Sequence, residues 1–406
     1  MEEKNDVKVA DSDVANVVPG RPIEETRHVA LIVETSNSYA RGLLVGIKKY
    51  LVSHPHWSIY LGEHSRHETD LSWLDSWRGH GVIARIENQE TADRVRELGL
   101  PAVDLSAGRL VPELPCVETD DDLIAQWAVE HFAVRGLRHF AYCGDSQFGW
   151  SVKRGARFTA RVREMGFDCH EFRIEPSGTL ADDRWEMAEW LLALPKPIGI
   201  LACYDIAGQE LLEACKIANL AVPDSVAVLG VDNDELICNL TSPPLSSIQS
   251  DTTQTGFLAA SLLDEMMSGQ VVPGQLIPIE PLRVVTRQSS DILSVSDPLV
   301  ARALKLIRDR ADNGVPVSTV EHHVGLSRRS LDYRFLQVLG HTVHEEILRV
   351  RMERLADLLI RTDWTLSQLA ERQGFSHSEY MGVAFKKYTG KSPGEYRRAN
   401  RADIPR

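Results

Sequence analysis

The chain has 406 residues, 43% of them hydrophobic and 25% charged, a length of two or three domains and a composition that excludes wholesale disorder, fibrous repeats and a single small module. Its net charge of −13 argues, as an average, against a polyanionic ligand. The six cysteines, at 116, 143, 169, 203, 215 and 238, form no CxxC pair and imply a reducing compartment rather than a disulfide scaffold.

Residues 1–27 hold seven acidic and four basic residues and no apolar run, so a disordered tail is expected there, with no secretory signal. No run of about 18 apolar residues follows, and the expectation is a cytoplasmic protein with no membrane association. From residue 28, short β-branched runs alternate with longer amphipathic ones, the pattern of a parallel sheet wrapped by helices. Strands are predicted at HVALIVE (28–34), WSIYLGE (57–63), GVIARIE (81–87) and PAVDLS (101–106), with helices at 39–54 and near 90–98. A helix from Asp122 to Arg135 and the strand RHFAYCG (138–144) lead into a second cycle: helix 151–165, strand 168–174, helix 181–194, strand 197–204, helix 207–218 and strand 226–232. Two consecutive α/β cycles predict two lobes. Ligands of such sheets sit beyond the carboxyl ends of the strands, where this sequence places Ser36 to Tyr39, Asp145 to Trp150, Tyr204, Asp205, and Asp232 to Asp234.

A Ser/Asp/Pro-rich linker at 288–298 closes this domain, taken as 28–287, and residues 299–400 read as helix only. The charge divides at the same place. Residues 297–406 hold 19 basic and 14 acidic residues, a net of +5 that leaves −18 for the rest. The helical part also contains a repeat. Val317, Val320, Gly325 and Ser327 correspond to Leu366, Leu369, Gly374 and Ser376 at an offset of 49, and Leu331 and Phe335 to Met381 and Phe385 at an offset of 50. Each copy, near 317–338 and 366–388, is a short helix, a glycine turn and a second helix, a helix-turn-helix. Between them, 342–362 spaces apolar residues along one face and predicts a long connecting helix.

The segments GLSRRSLDYRFLQVLG (325–340), RVRMERLADLL (349–359) and LSQLAERQGFSHSEYMGVAFKKYTGKSPGEYRR (366–398) resemble the AraC-type DNA-binding domain. That resemblance implies base contacts from Arg328, Arg329, Asp332 and Tyr333 in the first unit and from His377, Ser378 and Glu379, with Gly382 and Val383, in the second. Lys386, Lys387, Lys391, Arg397 and Arg398 fit phosphate contacts. VETDDDLIAQWAVEHFAVRGLRHFAYCG (117–144), LACYDIAGQELLEAC (201–215) and VPDSVAVLGVDNDELICNLTSPPLSSI (222–248) resemble the LacI/GalR effector-binding core, the two-lobed type I periplasmic-binding-protein fold. A LacI-like sensor followed by an AraC-like reader resembles the XylR xylose-operon regulators.

This resemblance implies sugar contacts at Asp121, Arg154, Tyr204, Asp205 and Asp232, with Tyr39, Phe148 or Trp150 supplying an aromatic face. It also implies a small sugar effector, D-xylose foremost, double-stranded operator DNA, RNA polymerase and a homodimer. Neither a cofactor nor a metal is expected, and His54, His56, His322 and His323 read as surface residues. The rival readings are a sugar enzyme, opposed by the lack of a Ser/His/Asp order or phosphate-cradling loop, and a transport-type binding protein, opposed by the basic helical domain.

Overall fold

In this computed structural model, residues 26–62, 71–175, 180–292, 297–310 and 314–401 are described. The tail expected over 1–27 lies almost wholly outside them. The chain divides into two compact units after Ile292.

The first unit has two six-stranded sheets. The first sheet contains β1 (Arg27–Ile32), β2 (Trp57–Leu61), β3 (Gly81–Ala84), β4 (Ala102–Asp104), β5 (Cys116–Thr119) and, far along the chain, β11 (Leu276–Ile279). Its strands are all parallel, in the order β11-β5-β4-β3-β1-β2. The second contains β6 (His139–Asp145), β7 (Cys169–Ile174), β8 (Ile198–Ala202), β9 (Val226–Val231), β10 (Ser246–Gln249) and β12 (Arg283–Val285), ordered β12-β10-β9-β8-β6-β7 with only β12 antiparallel. Strands β3, β8 and β9 are buried along their whole length, because helices cover both faces, and they therefore read as continuous apolar runs.

The helices of this unit are α1 (Ser38–Ser53), α2 (Gln89–Leu98), α3 (Asp121–Ala133), α4 (Gly149–Glu164), α5 (Leu180–Ala193), α6 (Asp205–Ile217), α7 (Glu235–Leu240) and α8 (Thr252–Met267). Apart from β5, which was not predicted, the predicted alternation through β9 matches these elements to within a few residues at each end. The lobes, however, are not consecutive. The chain crosses between them three times, at β5 to α3, β10 to α8 and β11 to β12, so that α8 and β11 complete the first lobe. Strands β5, β11 and β12 have three or four residues each, too short for a period to emerge from the sequence. Helix α8 lies directly on α1, and the contact needs glycine on both sides: a Cβ on Gly46 would strike the Thr253 carbonyl, and one on Gly256 the Leu43 carbonyl. Packing also continues past residue 287. Ser289 donates to the Val228 carbonyl at 2.7 Å, and Ser290 lies 2.7 Å from His131 Nε2, both serines being fully buried.

The second unit contains helices α9 (Pro298–Asp309), α10 (Val317–Val324), α11 (Arg328–Leu339), α12 (Val343–Arg361), α13 (Leu366–Arg372), α14 (Ser378–Thr389) and α15 (Pro393–Arg401). Their ends follow capping chemistry. Asp297 caps α9 ahead of Pro298, Ser327 caps α11, and Thr342 with Glu345 and Thr365 with Gln368 form capping boxes on α12 and α13. Gly325 ends α10 at φ 72°, a left-handed turn that glycine adopts without strain. Helix α12 serves two cores. Val343, Ile347 and Val350 pack with Val320, Leu331 and Phe335, whereas Met352, Leu355 and Leu359 pack with Leu369, Met381 and Phe385. One long helix thereby carries both helix-turn-helix units.

Candidate functional site

The sensor site grows from the start of α4. Arg154, 4% exposed, donates from Nε to Asp121 Oδ1 at 2.6 Å and from a terminal nitrogen to the Cys203 carbonyl. Asp121 is available for this pair because its neighbour Asp120 caps α3, accepting from the Asp122 and Leu123 amides. The Arg154 guanidinium lies 5.2 Å from the centroid of the Trp150 ring, which stacks on Phe148 at 5.5 Å and meets Tyr204 edge-on at 5.8 Å. Burial alone would pull the guanidinium toward neutrality, but Asp121, Asp232 and Tyr142 more than reverse this and hold it charged.

Asp232 follows β9 with φ 100°, a conformation that non-glycine residues avoid. Its amide donates to the Ile248 carbonyl, and its carboxylate accepts from Ser250 Oγ at 3.2 Å. Asp205 has a different place. It is 2% exposed, with one oxygen accepting from Ser247 Oγ and the other from the Asp234 amide, both at 2.6 Å. Burial, reinforced by the like charge of Asp232, raises its pKa well above the usual carboxylate range. Asp205 is therefore an internal brace of the β9–α7 turn, set behind Asp232.

The first lobe faces this cluster with charges that the sequence reading passed over. Tyr39 donates to Glu118, and the Arg85 guanidinium lies 5.1 Å from the Tyr39 ring centroid while pairing with Glu34 and, at 2.7 Å, with Glu87. Asn37 both caps α1 and donates to Glu34 at 2.7 Å. Hydrogen bonds join the lobes: Trp150 Nε1 donates to Glu87 at 3.1 Å, and Lys153 donates to the Ala107 and Gly108 carbonyls at 2.7 and 2.9 Å. Carboxylates, two guanidinium groups and aromatic faces thus converge between the lobes, the donor and acceptor set that suits a small polyhydroxylated ligand.

In the second unit, Arg328 and Arg329 occupy the exposed first turn of α11, and Tyr333 is 64% exposed one turn on. Asp332 is half-buried beside that face. Its carboxylate accepts from the Val343 amide at 3.1 Å, capping α12, and lies 3.5 Å from Arg328. In α14 the cap is His377 rather than the repeat's Ser376, so the helical registers align at an offset of 50: Arg329 corresponds to Glu379, Asp332 to Gly382 and Tyr333 to Val383. Ser378 is half-buried, and Glu379, Lys386 and Lys387 are exposed. Arg397 donates to the Leu359 and Trp364 carbonyls at 3.1 and 2.6 Å, which assigns it to the end of α12 rather than to a free phosphate-binding role.

Three family models match the chain in this order: a XylR N-terminal domain over 28–122, a periplasmic binding protein-like domain over 129–290 and a helix-turn-helix domain over 321–399. The xylose operon regulatory protein of Escherichia coli (strain K12) is 29% identical over 388 residues, covering 92% of this chain and 98% of that protein. Along nearly its whole length the chain is similar to the xylose operon regulatory proteins. The corresponding protein of Haemophilus influenzae is also 29% identical, over 92% of this chain and 99% of its own length. A solved structure described as the xylose-binding transcription activator xylR matches with a TM-score of 0.75 and 28% identity, covering 93% of this chain and 100% of that one. The chain therefore joins a two-lobed sensor unit to a double helix-turn-helix unit. Among its described residues no helix is long and apolar enough to cross a membrane.

The sensor unit also carries two carboxyls whose pKa is raised by burial. Asp104, at the end of β4, is pushed up to about 8 and Glu118 to about 7, in both cases chiefly by desolvation. Their folded-state pKa values lie above the unfolded ones, so the stability they contribute is full below the ordinary carboxylate range and is lost as pH rises through about 7 and 8. His131, pushed down to about 3 by burial, is neutral in the folded state across this range, and loss of the remaining protons from its unfolded form above about pH 6.5 opposes the fall by only about 0.4 kcal/mol. The sensor's thermal midpoint is thus expected to fall by several degrees between about pH 6.5 and 8.5. Asp104→Asn keeps an oxygen for the Ile86 and Ser106 amides that Asp104 Oδ1 accepts from and should flatten the fall. Differential scanning fluorimetry that gives parallel slopes for the two proteins would assign the effect elsewhere.

Proposed function

We propose that this chain is a sugar-responsive transcriptional regulator that senses D-xylose and activates pentose-catabolic genes. It acts in the cytoplasm as a homodimer on double-stranded operator DNA, in contact with RNA polymerase. The observation that carries this reading is the Arg154–Asp121–Trp150 cluster facing Arg85 and Glu87 across the lobes, in a chain that also bears a duplicated helix-turn-helix. Sugar stabilises one arrangement of the lobes, and that differential binding biases how the paired reader units engage DNA. Arg154, Asp121 and Asp232 contribute the polar contacts, and Trp150 with Phe148 and Tyr204 the aromatic wall.

Isothermal titration of the purified chain against a pentose and hexose panel tests the sensor half. Saturable binding with D-xylose tightest is the expected result; preference for another sugar would reassign the effector, and turnover of any sugar would replace a regulator with an enzyme. The reader half is tested at Arg329, whose exposed guanidinium suits bidentate recognition of guanine. Arg329→Ala is expected to lose about 1–3 kcal/mol of discrimination at one base pair while keeping nonspecific affinity. Equal weakening on every sequence in a competition binding assay would make Arg329 a phosphate contact.

A further inference from the structure

Two adjacent residues of α14 are poor choices for a helix and have no packing reason to be there. Gly382 lies mid-helix, where glycine is less favourable than alanine, yet its φ is not positive and an added Cβ would meet nothing within 4 Å. Val383, β-branched, is 70% exposed, so it loses rotamer freedom without burying its methyls. Neither choice serves the fold. In the second unit's reading helix Gly382 is half-buried and Val383 exposed, with Glu379 one turn before and Lys386 and Lys387 one turn after, all three exposed. In the aligned register of α11 the same two positions hold Asp332, which braces α12, and Tyr333. The second unit therefore dispenses with both the brace and the phenol, and presents a bare backbone step beside a small branched apolar side chain.

A missing Cβ permits close approach of a second surface, and an aliphatic side chain in a major groove contacts the 5-methyl group of thymine. We propose that the second helix-turn-helix unit selects thymine by its 5-methyl group through Val383, with Gly382 supplying the clearance that seats α14 deep enough to reach it. The first unit, with Arg328 and Arg329, reads by hydrogen bonding, so the two halves of one bound site are read by different chemistry. This inference rests on the DNA-binding reading above.

The test begins with selection of bound sequences from a random double-stranded pool by the full chain. Each thymine of the selected site is then replaced by deoxyuridine, which removes only the 5-methyl group. One thymine in the half bound by α14 is expected to show about a fourfold loss of affinity, the value of one buried methyl group. In Val383→Ala, which binds more weakly, that same replacement should cost nothing further. Gly382→Ala supplies a readout that structural damage would not mimic: a higher thermal midpoint of the reader unit together with weaker binding to the selected site. A deoxyuridine penalty that persists undiminished in Val383→Ala, a site with no methyl-sensitive thymine, or Gly382→Ala binding at full strength would each overturn the proposal. A chain that enriches no sequence would instead overturn the DNA-binding reading beneath it.

Discussion

Arg154→Ala is expected to destabilise the sensor unit by about 3–5 kcal/mol, the range seen when one partner of a buried ion pair is removed. Both members of the pair are nearly sealed from water, with 5% and 6% of their side chains exposed. Truncation leaves the Asp121 carboxylate buried opposite no cation and the Cys203 carbonyl without its donor. Trp150 also loses the charge over its face. Denaturant unfolding of the full chain would show the sensor transition shifted by that amount. The double variant Arg154→Met/Asp121→Asn removes both charges and should recover a large part of the loss. A double variant as unstable as the single one would show that packing of the Arg154 stem, rather than the stranded carboxylate, dominates. The double variant should in either case be unresponsive to sugar, because the guanidinium fork is gone.

This ion pair also shows what the sequence could reveal. The alternating apolar runs made the strands and helices legible because fully covered parallel strands carry an uninterrupted hydrophobic signature, as in β8 and β9. The crossings were not legible. Residue spacing does not say that α8 returns to lie on α1, and the glycines that allow it, Gly46 and Gly256, resemble any other helical glycines until the two backbones are seen together. In the site, Arg154 and Asp121 stood out through resemblance, and the structure joins them across 33 residues of chain. Arg85 and Glu87 were hidden inside the predicted strand GVIARIE, although a charged pair at the end of an otherwise apolar run was the available signal. Strand β3 ends at Ala84, which puts both residues at its carboxyl end, where ligands of such sheets bind. Asp205 and Asp332 show a carboxylate with a structural role that the sequence did not reveal. Each is the right residue type in the right segment, and each gives one carboxylate oxygen to a backbone amide, of Asp234 and Val343 respectively. Sequence position cannot separate a carboxylate that caps a helix from one that meets a ligand; only its hydrogen-bond partners can.

Asp232 is the carboxylate for which that distinction favours the ligand. It is half-buried at the carboxyl end of β9, contributes to the field that keeps Arg154 charged, and keeps a positive φ that its neighbours enforce through the Ile248 carbonyl and Ser250 hydroxyl. Asp232→Asn is expected to weaken sugar binding by about 1.5–3 kcal/mol, roughly 10- to 150-fold, the value of a hydrogen bond to a charged group. The substitution retains shape, and asparagine tolerates left-handed backbone better than most residues, so ligand-free operator affinity should stay at its original value. Stability should change little, because asparagine keeps a side-chain oxygen for the Ser250 hydroxyl and tolerates the backbone angle. Asp232→Ala should lose the same binding energy and in addition about 1 kcal/mol of stability, since alanine gains nothing at that backbone angle. Titration calorimetry and thermal unfolding of the two variants separate these effects. Sugar affinity unchanged in both would remove Asp232 from the pocket, and the positive φ would then belong to the turn that Asp205 braces.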